Sequence, residues 1–236
     1  MNQEPGSVPA GQGFRKFWAL HVPGRVRPAL GFVLCCVLLA CSVGGGQTRS
    51  ASKVSAPLIA PGLIEEHGLA FLTPTARYDR EEDKHALALV FASTLSELRP
   101  AVRVVPLAQT LGAVNRAGLL RQYQKMYESY AATGVLERDT LAKLRGVTGA
   151  RYFCLLQLGE FTQPATATSG AITLPGRGAP AAHIRLFVQI WDSVEGTIAW
   201  EGINEVSYGA EPGNGRGATF SSVVERAARD LVAKLP

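Results

Sequence analysis

A chain of 236 residues, 47% hydrophobic and 18% charged, has apolar material for a folded core and too little charge for a disordered coil. Its net charge of +5 suggests nucleic acid, but four of the 24 basic residues (Arg15, Lys16, Arg25, Arg27) and one of the 19 acidic ones (Glu4) precede Cys41. From that cysteine onward 20 basic side chains meet 18 acidic ones without a Lys/Arg run, which excludes the footprint of a nucleic-acid binder.

Residues 14–27 are basic, and residues 28–40 follow as an almost continuous apolar run. From Ala29 to Val43 the run is about 15 residues, short of the roughly 20 that a membrane-spanning helix needs. A charged leader, a short apolar stretch and small residues at its end are the marks of a secretory signal. The run closes on Leu38, Leu39, Ala40 and Cys41, which resembles the lipobox of bacterial lipoproteins. That resemblance implies cleavage after Ala40 and a diacylglycerol on the thiol of Cys41, so that the bilayer itself is a partner. An uncleaved anchor or a buried core helix is the bland alternative; the short run and Gly44-Gly45-Gly46 just beyond it count against both. Ser42 stands where, in that family, an aspartate would hold the protein at the inner membrane. The expected address is therefore the periplasmic face of the outer membrane.

Residues 42–61, rich in Gly, Ser, Thr, Ala and Pro, read as a flexible tether. The expected organisation is a signal peptide over 1–40, a lipidated tether over 41–62 and a single periplasmic domain over 63–236.

Within that domain, residues 69–73 before Pro74 form a short apolar run, read as a buried strand. Asp79 and Glu82 have the spacing of a helix cap, and Leu87, Val90, Phe91, Thr94, Leu95 and Leu98 then recur on one helical face. Pro100 stops that helix, and Val102 to Val105 returns as a strand, completing a β-α-β unit. Residues 107–149 carry helical periodicity. Leu119, Tyr123, Met126, Tyr127 and Tyr130 share a face that Gly134 ends, and Leu141, Leu144 and Val147 mark a shorter helix before Gly149. The tyrosine stripe is either sheet packing or, through Tyr123 and Tyr127, a partner surface.

Residues 151–161 are almost unbroken apolar, as in a central strand. In 183–191, Ile184, Leu186, Val188 and Ile190 alternate with Phe187, Gln189 and Trp191. Residues 192–196 turn the chain and 197–206 pair back as a hairpin. The last helix is expected to start near Ser221 or Ser222, with Glu225 completing a capping box, and to bury Val223, Val224, Ala227, Ala228, Leu231 and Leu235. Between the strands lies 162–182, an irregular stretch long enough to be functional; Ser169, Ile172, Leu174 and Arg177 are its candidate partner contacts.

The chemistry-bearing residues form no constellation. His67, His85 and His183 are scattered, without metal-ligand spacing. Cys154, inside an apolar run, reads as a small buried hydrophobe with nothing nearby to activate it. The glycines at 213, 215 and 217 lack the Lys-Ser/Thr ending of a phosphate loop. Ser93, Ser96 and Ser129 have no nucleophile elbow around them. No catalytic residue, metal or cofactor is expected, and the chain is read as a non-enzyme.

Gly149-Ala150-Arg151-Tyr152, then Gln189-Ile190-Trp191-Asp192, Gly196, Trp200-Glu201-Gly202 and Leu235-Pro236, resemble a pattern spread over uncharacterised bacterial lipoproteins. It is more distantly similar to the curli secretion channel subunit, the TolB amino-terminal domain and lipoprotein activators of penicillin-binding proteins. The resemblance covers about residues 65–236. It implies an α/β (α+β) fold of the anticodon-binding-domain or TolB amino-terminal kind, with a mixed sheet of about five strands flanked by helices. It also implies work through protein contacts in the envelope, as an assembly or regulatory factor that leaves homo-oligomerisation open. A subunit of a curli-type secretion channel is the alternative. That would need membrane-spanning hairpins of about 9–11 residues per strand, for which 162–182 is too short and too rich in proline.

Overall fold

In the computed structural model the described residues are 48–55, 58–76, 81–162, 182–208 and 219–236. They run β1 (Thr48–Ser55), α1 (Leu63–His67), β2 (Leu69–Phe71), β3 (Thr75–Ala76), α2 (Glu81–Leu98), β4 (Val104–Val105), α3 (Leu107–Arg116), α4 (Leu120–Thr133), α5 (Arg138–Thr148), β5 (Tyr152–Thr162), β6 (Ala182–Asp192), β7 (Thr197–Tyr208) and α6 (Phe220–Val232). Every described residue lies within the unit Gly44–Pro236.

The sheet is mixed, in the order β1-β7-β6-β5-β2-β4, with β3 also paired to β5. Strand β2 runs parallel to β4 and β5, which confirms the β-α-β unit, whereas β5, β6, β7 and β1 are successive antiparallel neighbours. This is the expected α/β fold, with seven strands among the described residues instead of about five.

The two added strands are β1 and β3. Residues 48–55, expected in the flexible tether, pair along their whole length with β7, from Thr48 opposite Tyr208 to Ser55 opposite Glu201. An edge strand is held by backbone hydrogen bonds that any side chain permits, so a Ser- and Ala-rich composition did not forbid it. Strand β3 is two residues long and carries no period to read.

Two apolar layers flank the sheet. Helices α2 and α6 cover one face, where Ile184, Leu186, Val188 and Ile190 of β6 meet Val224, Ala227, Ala228 and Leu231 of α6. Each large aliphatic side chain so buried contributes about 1.5–3 kcal/mol. Helices α3 to α5 cover the other face beside β2 and β5, packing Met126, Leu141 and Leu144 against Phe153, Leu155 and Trp191.

Helix termini follow the glycines. Gly134 and Gly149 both adopt φ 73°, and the N–H of each closes back on its own helix, as read from the sequence. Two details differ. Leu98, placed on the buried face of α2, is 39% exposed at the last turn. The cap of α6 is Thr219, ahead of the expected serines: its Oγ1 accepts the Ser222 N–H at 3.2 Å, and Ser222 Oγ accepts the Thr219 N–H at 3.0 Å. Serine in the third helical position does the job that Glu225 was expected to do.

Candidate interaction surface

The antiparallel half of the sheet presents two unlike faces, because side chains alternate along each strand. One face lies under α2 and α6. On the other, around Arg185 and Phe187 of β6, Ile203 and Glu205 of β7, Lys53 of β1 and Gln157 of β5, no side chain is buried. Cross-strand register places Arg185 opposite Glu205 and Glu160, and Phe187 opposite Ile203 and Gln157.

The geometry there is set by a bulge. The β5–β6 register shifts between Leu158 and Glu160, leaving Gly159 as the extra residue. A Cβ at Gly159 would come within 2.9 Å of the Phe187 ring, so only glycine lets that ring lie against β5. The Arg185 guanidinium covers the ring at 5.1 Å from its centroid and pairs with Glu205 at 3.0 Å. Beside them a cavity of about 320 Å³ opens between β3, β5 and β6, lined by Thr75, Gln157, Gly159, Glu160, Arg185 and Phe187. The result is a half-buried aromatic centre surrounded by paired charges. Sequence reasoning missed this site, although Phe187 standing in the polar half of an alternating strand was its one visible sign.

The tyrosine stripe lines the sheet-facing side of α4. Tyr123 is 6% exposed, and its Oη accepts the Thr73 N–H at 2.9 Å. Tyr127 Oη donates to the Thr73 carbonyl at 2.7 Å, and Tyr130 Oη donates to Gln189 Oε1 at 3.0 Å. Burial raises the Tyr127 hydroxyl well above the ordinary tyrosine range, and Tyr123 beside it adds to the rise. Thr73, Tyr123, Gln124, Tyr127 and Glu128 line a cavity of about 400 Å³. Tyr123 and Tyr127 latch α4 onto the exit of β2, and Tyr130 ties it to β6.

The hairpin turn is also tied internally. Arg151 donates from Nε and Nη2 to both carboxylate oxygens of Asp192, at 2.7 to 3.1 Å, while the Val194 N–H donates to Asp192 Oδ1 at 2.8 Å. Burial works to raise the Asp192 carboxyl, but the Arg151 and Val194 hydrogen bonds outweigh it and hold it below the usual carboxylate range. Cys154 is buried and free, and desolvation pushes its thiol far above the ordinary value. Among the described residues no group of three or more His, Cys, Asp or Glu side chains could hold a metal. No helix among them is long and apolar enough to cross a membrane. Leu38, Leu39, Ala40 and Cys41, the arm residues Ser169, Ile172, Leu174 and Arg177, and the glycines of 209–218 lie outside the described residues.

No family model matches this chain, and no curated protein matches it. Among solved structures it is similar to the PelC dodecamer from Paraburkholderia phytofirmans, with 12% identity over 79% of this chain and 97% of that one, and a TM-score of 0.48. It is also similar to lipoprotein GNA1162 from Neisseria meningitidis, with 14% identity, 71% and 98% coverage and a TM-score of 0.39. The LpoB C-terminal domain from Salmonella enterica is similar at 16% identity, 62% and 86% coverage and a TM-score of 0.35.

Proposed function

We propose that this chain is a lipid-anchored protein of the bacterial envelope, held at the outer membrane through acylated Cys41. Its folded domain acts by protein contact, as an assembly or regulatory factor, and not by catalysis. The lipobox-like Leu38-Leu39-Ala40-Cys41 supports the anchor. The observation that carries the interaction role is the face around half-buried Phe187 and Ile203 that no described helix covers, where an apolar centre is bordered by Arg185, Glu205 and Glu160. Protein interfaces combine such an aromatic and arginine centre with a polar rim. The tyrosine stripe is the weaker candidate, since the hydroxyls of Tyr123 and Tyr127 are engaged with Thr73.

Photocrosslinking in living cells tests this reading. A crosslinker at position 187 or 203 should capture one discrete envelope protein, absent when the same group is placed at exposed Lys143 on α5. Identical products from all three positions would defeat the assignment. Cys41→Ala should release the chain from membranes, and globomycin should stop precursor processing.

A further inference from the structure

We infer that the free edge of β1 faces the bilayer and contacts anionic phospholipid headgroups through Arg49 and Lys53. This deepens the reading above, because it rests on the lipid anchor at Cys41.

The first argument is chain length. Only residues 42–47 separate Cys41 from Thr48, where β1 begins. Seven extended steps of about 3.6 Å reach at most roughly 25 Å, so the anchor keeps the start of β1 within that distance of the lipidated residue. Among the described residues, strand β1 is also an outer edge of the sheet, paired on one side only. The strand nearest the anchor along the chain is therefore one with a side open to a neighbour.

The second argument is charge. Strand β1 carries Arg49 and Lys53, both exposed, and no acidic residue. Register sets them opposite Ser207 and Ile203 of β7, with Glu205 diagonal to both and Glu201 diagonal to Lys53 on the same face. The acids nearby are already occupied: Glu205 pairs with Arg185, Glu201 accepts from Gln189, and Asp230 accepts from Arg226 and from Ser50. From the other side of the sheet Lys234 reaches the edge, its Nζ donating to the Ser52 carbonyl at 2.8 Å. That contact adds a third cation and blunts the edge against pairing with another strand. Basic side chains held within a Debye length of an anionic surface are attracted to it, and a lipid chain combined with such a patch is a two-signal attachment.

The test uses the lipidated mature chain in phosphatidylethanolamine–phosphatidylglycerol vesicles. A fluorophore is attached at Ala51→Cys, between the two cations, or at Lys143→Cys on α5, and read against headgroup spin-label quencher. Quenching at position 51 should exceed that at 143. It should fall to the 143 level in high salt, in phosphatidylethanolamine–phosphatidylcholine vesicles, and in Arg49→Gln/Lys53→Gln, while Arg49→Lys/Lys53→Arg should retain it. Equal quenching at both positions, or quenching at 51 insensitive to lipid charge and to the glutamine pair, overturns the inference while the anchor stands. Failure of the chain to float with vesicles removes the anchor, and the inference with it.

Discussion

Trp200 folds its ring back over Gly202, two residues further along the same face of β7, and Leu231 of α6 closes over the same spot. The indole is among the largest fully buried side chains. A Cβ at Gly202 would collide with the ring and lie 2.9 Å from Leu231 Cδ2. Gly202→Ala should therefore overpack the interface of α6 with the sheet and cost about 1–3 kcal/mol. Thermal denaturation followed by circular dichroism should show a drop of several degrees in Tm; an unchanged Tm would mean that ring and helix can move aside.

The Arg151–Asp192 pair makes the hairpin sensitive to acid. The folded Asp192 carboxyl sits below its unfolded value of about 3.9, so its contribution is complete above that value and fades as pH falls through the folded one. Asp192→Ala also strands the Val194 N–H and the Arg151 guanidinium, at a cost of about 2–3 kcal/mol near neutral pH. Urea unfolding between pH 7 and 3 should show the gap between parent and Asp192→Asn shrinking toward the acid end. A gap independent of pH would count against the carboxylate's role.

Tyr127 should not ionise while the fold is intact. Its pKa is raised, so folding holds a proton that the unfolded chain releases near pH 10, and stability declines as pH climbs past that point. Tyr127→Phe removes the hydrogen bond to the Thr73 carbonyl and should cost about 1 kcal/mol, lessening the alkaline decline. Ultraviolet titration of phenolate against pH measures this directly.

Cys154 should behave as a piece of core. With its thiol desolvated and Cys41 acylated, the native mature chain should take up no iodoacetamide at neutral pH, and one equivalent once unfolded. Intact mass before and after labelling distinguishes the two states. Rapid native labelling would contradict the burial of that strand.

Thr219 and Ser221 compete as the start of α6, and substitution separates them. Thr219→Ala should cost about 1 kcal/mol through loss of the capping box, whereas exposed Ser221→Ala should change little. The reverse order in chemical denaturation would restore the serine cap.

Much of the fold was legible because burial imposes a period. Ile184, Leu186, Val188 and Ile190 repeat every second residue, and Leu87, Phe91 and Leu95 every fourth. Gly134 and Gly149 marked helix ends because a left-handed cap suits no other residue as well. The candidate surface was far less legible. Its parts come from four strands and a bulge, and nothing in the order of residues announces that Gly159 lets Phe187 lie beside Arg185.

The order of residues was enough for the α/β class, the β-α-β unit, the long hairpin, the inward faces of α2 and α6 and the inert setting of Cys154, because water expels apolar side chains wherever they recur with a structural period. That residues 48–55 join the sheet emerged from the folded chain, since that strand is held by backbone groups of β7 common to every residue. So did the part of the sheet that the described helices leave without a cover, because helices of given length and tilt shield only the strands they cross.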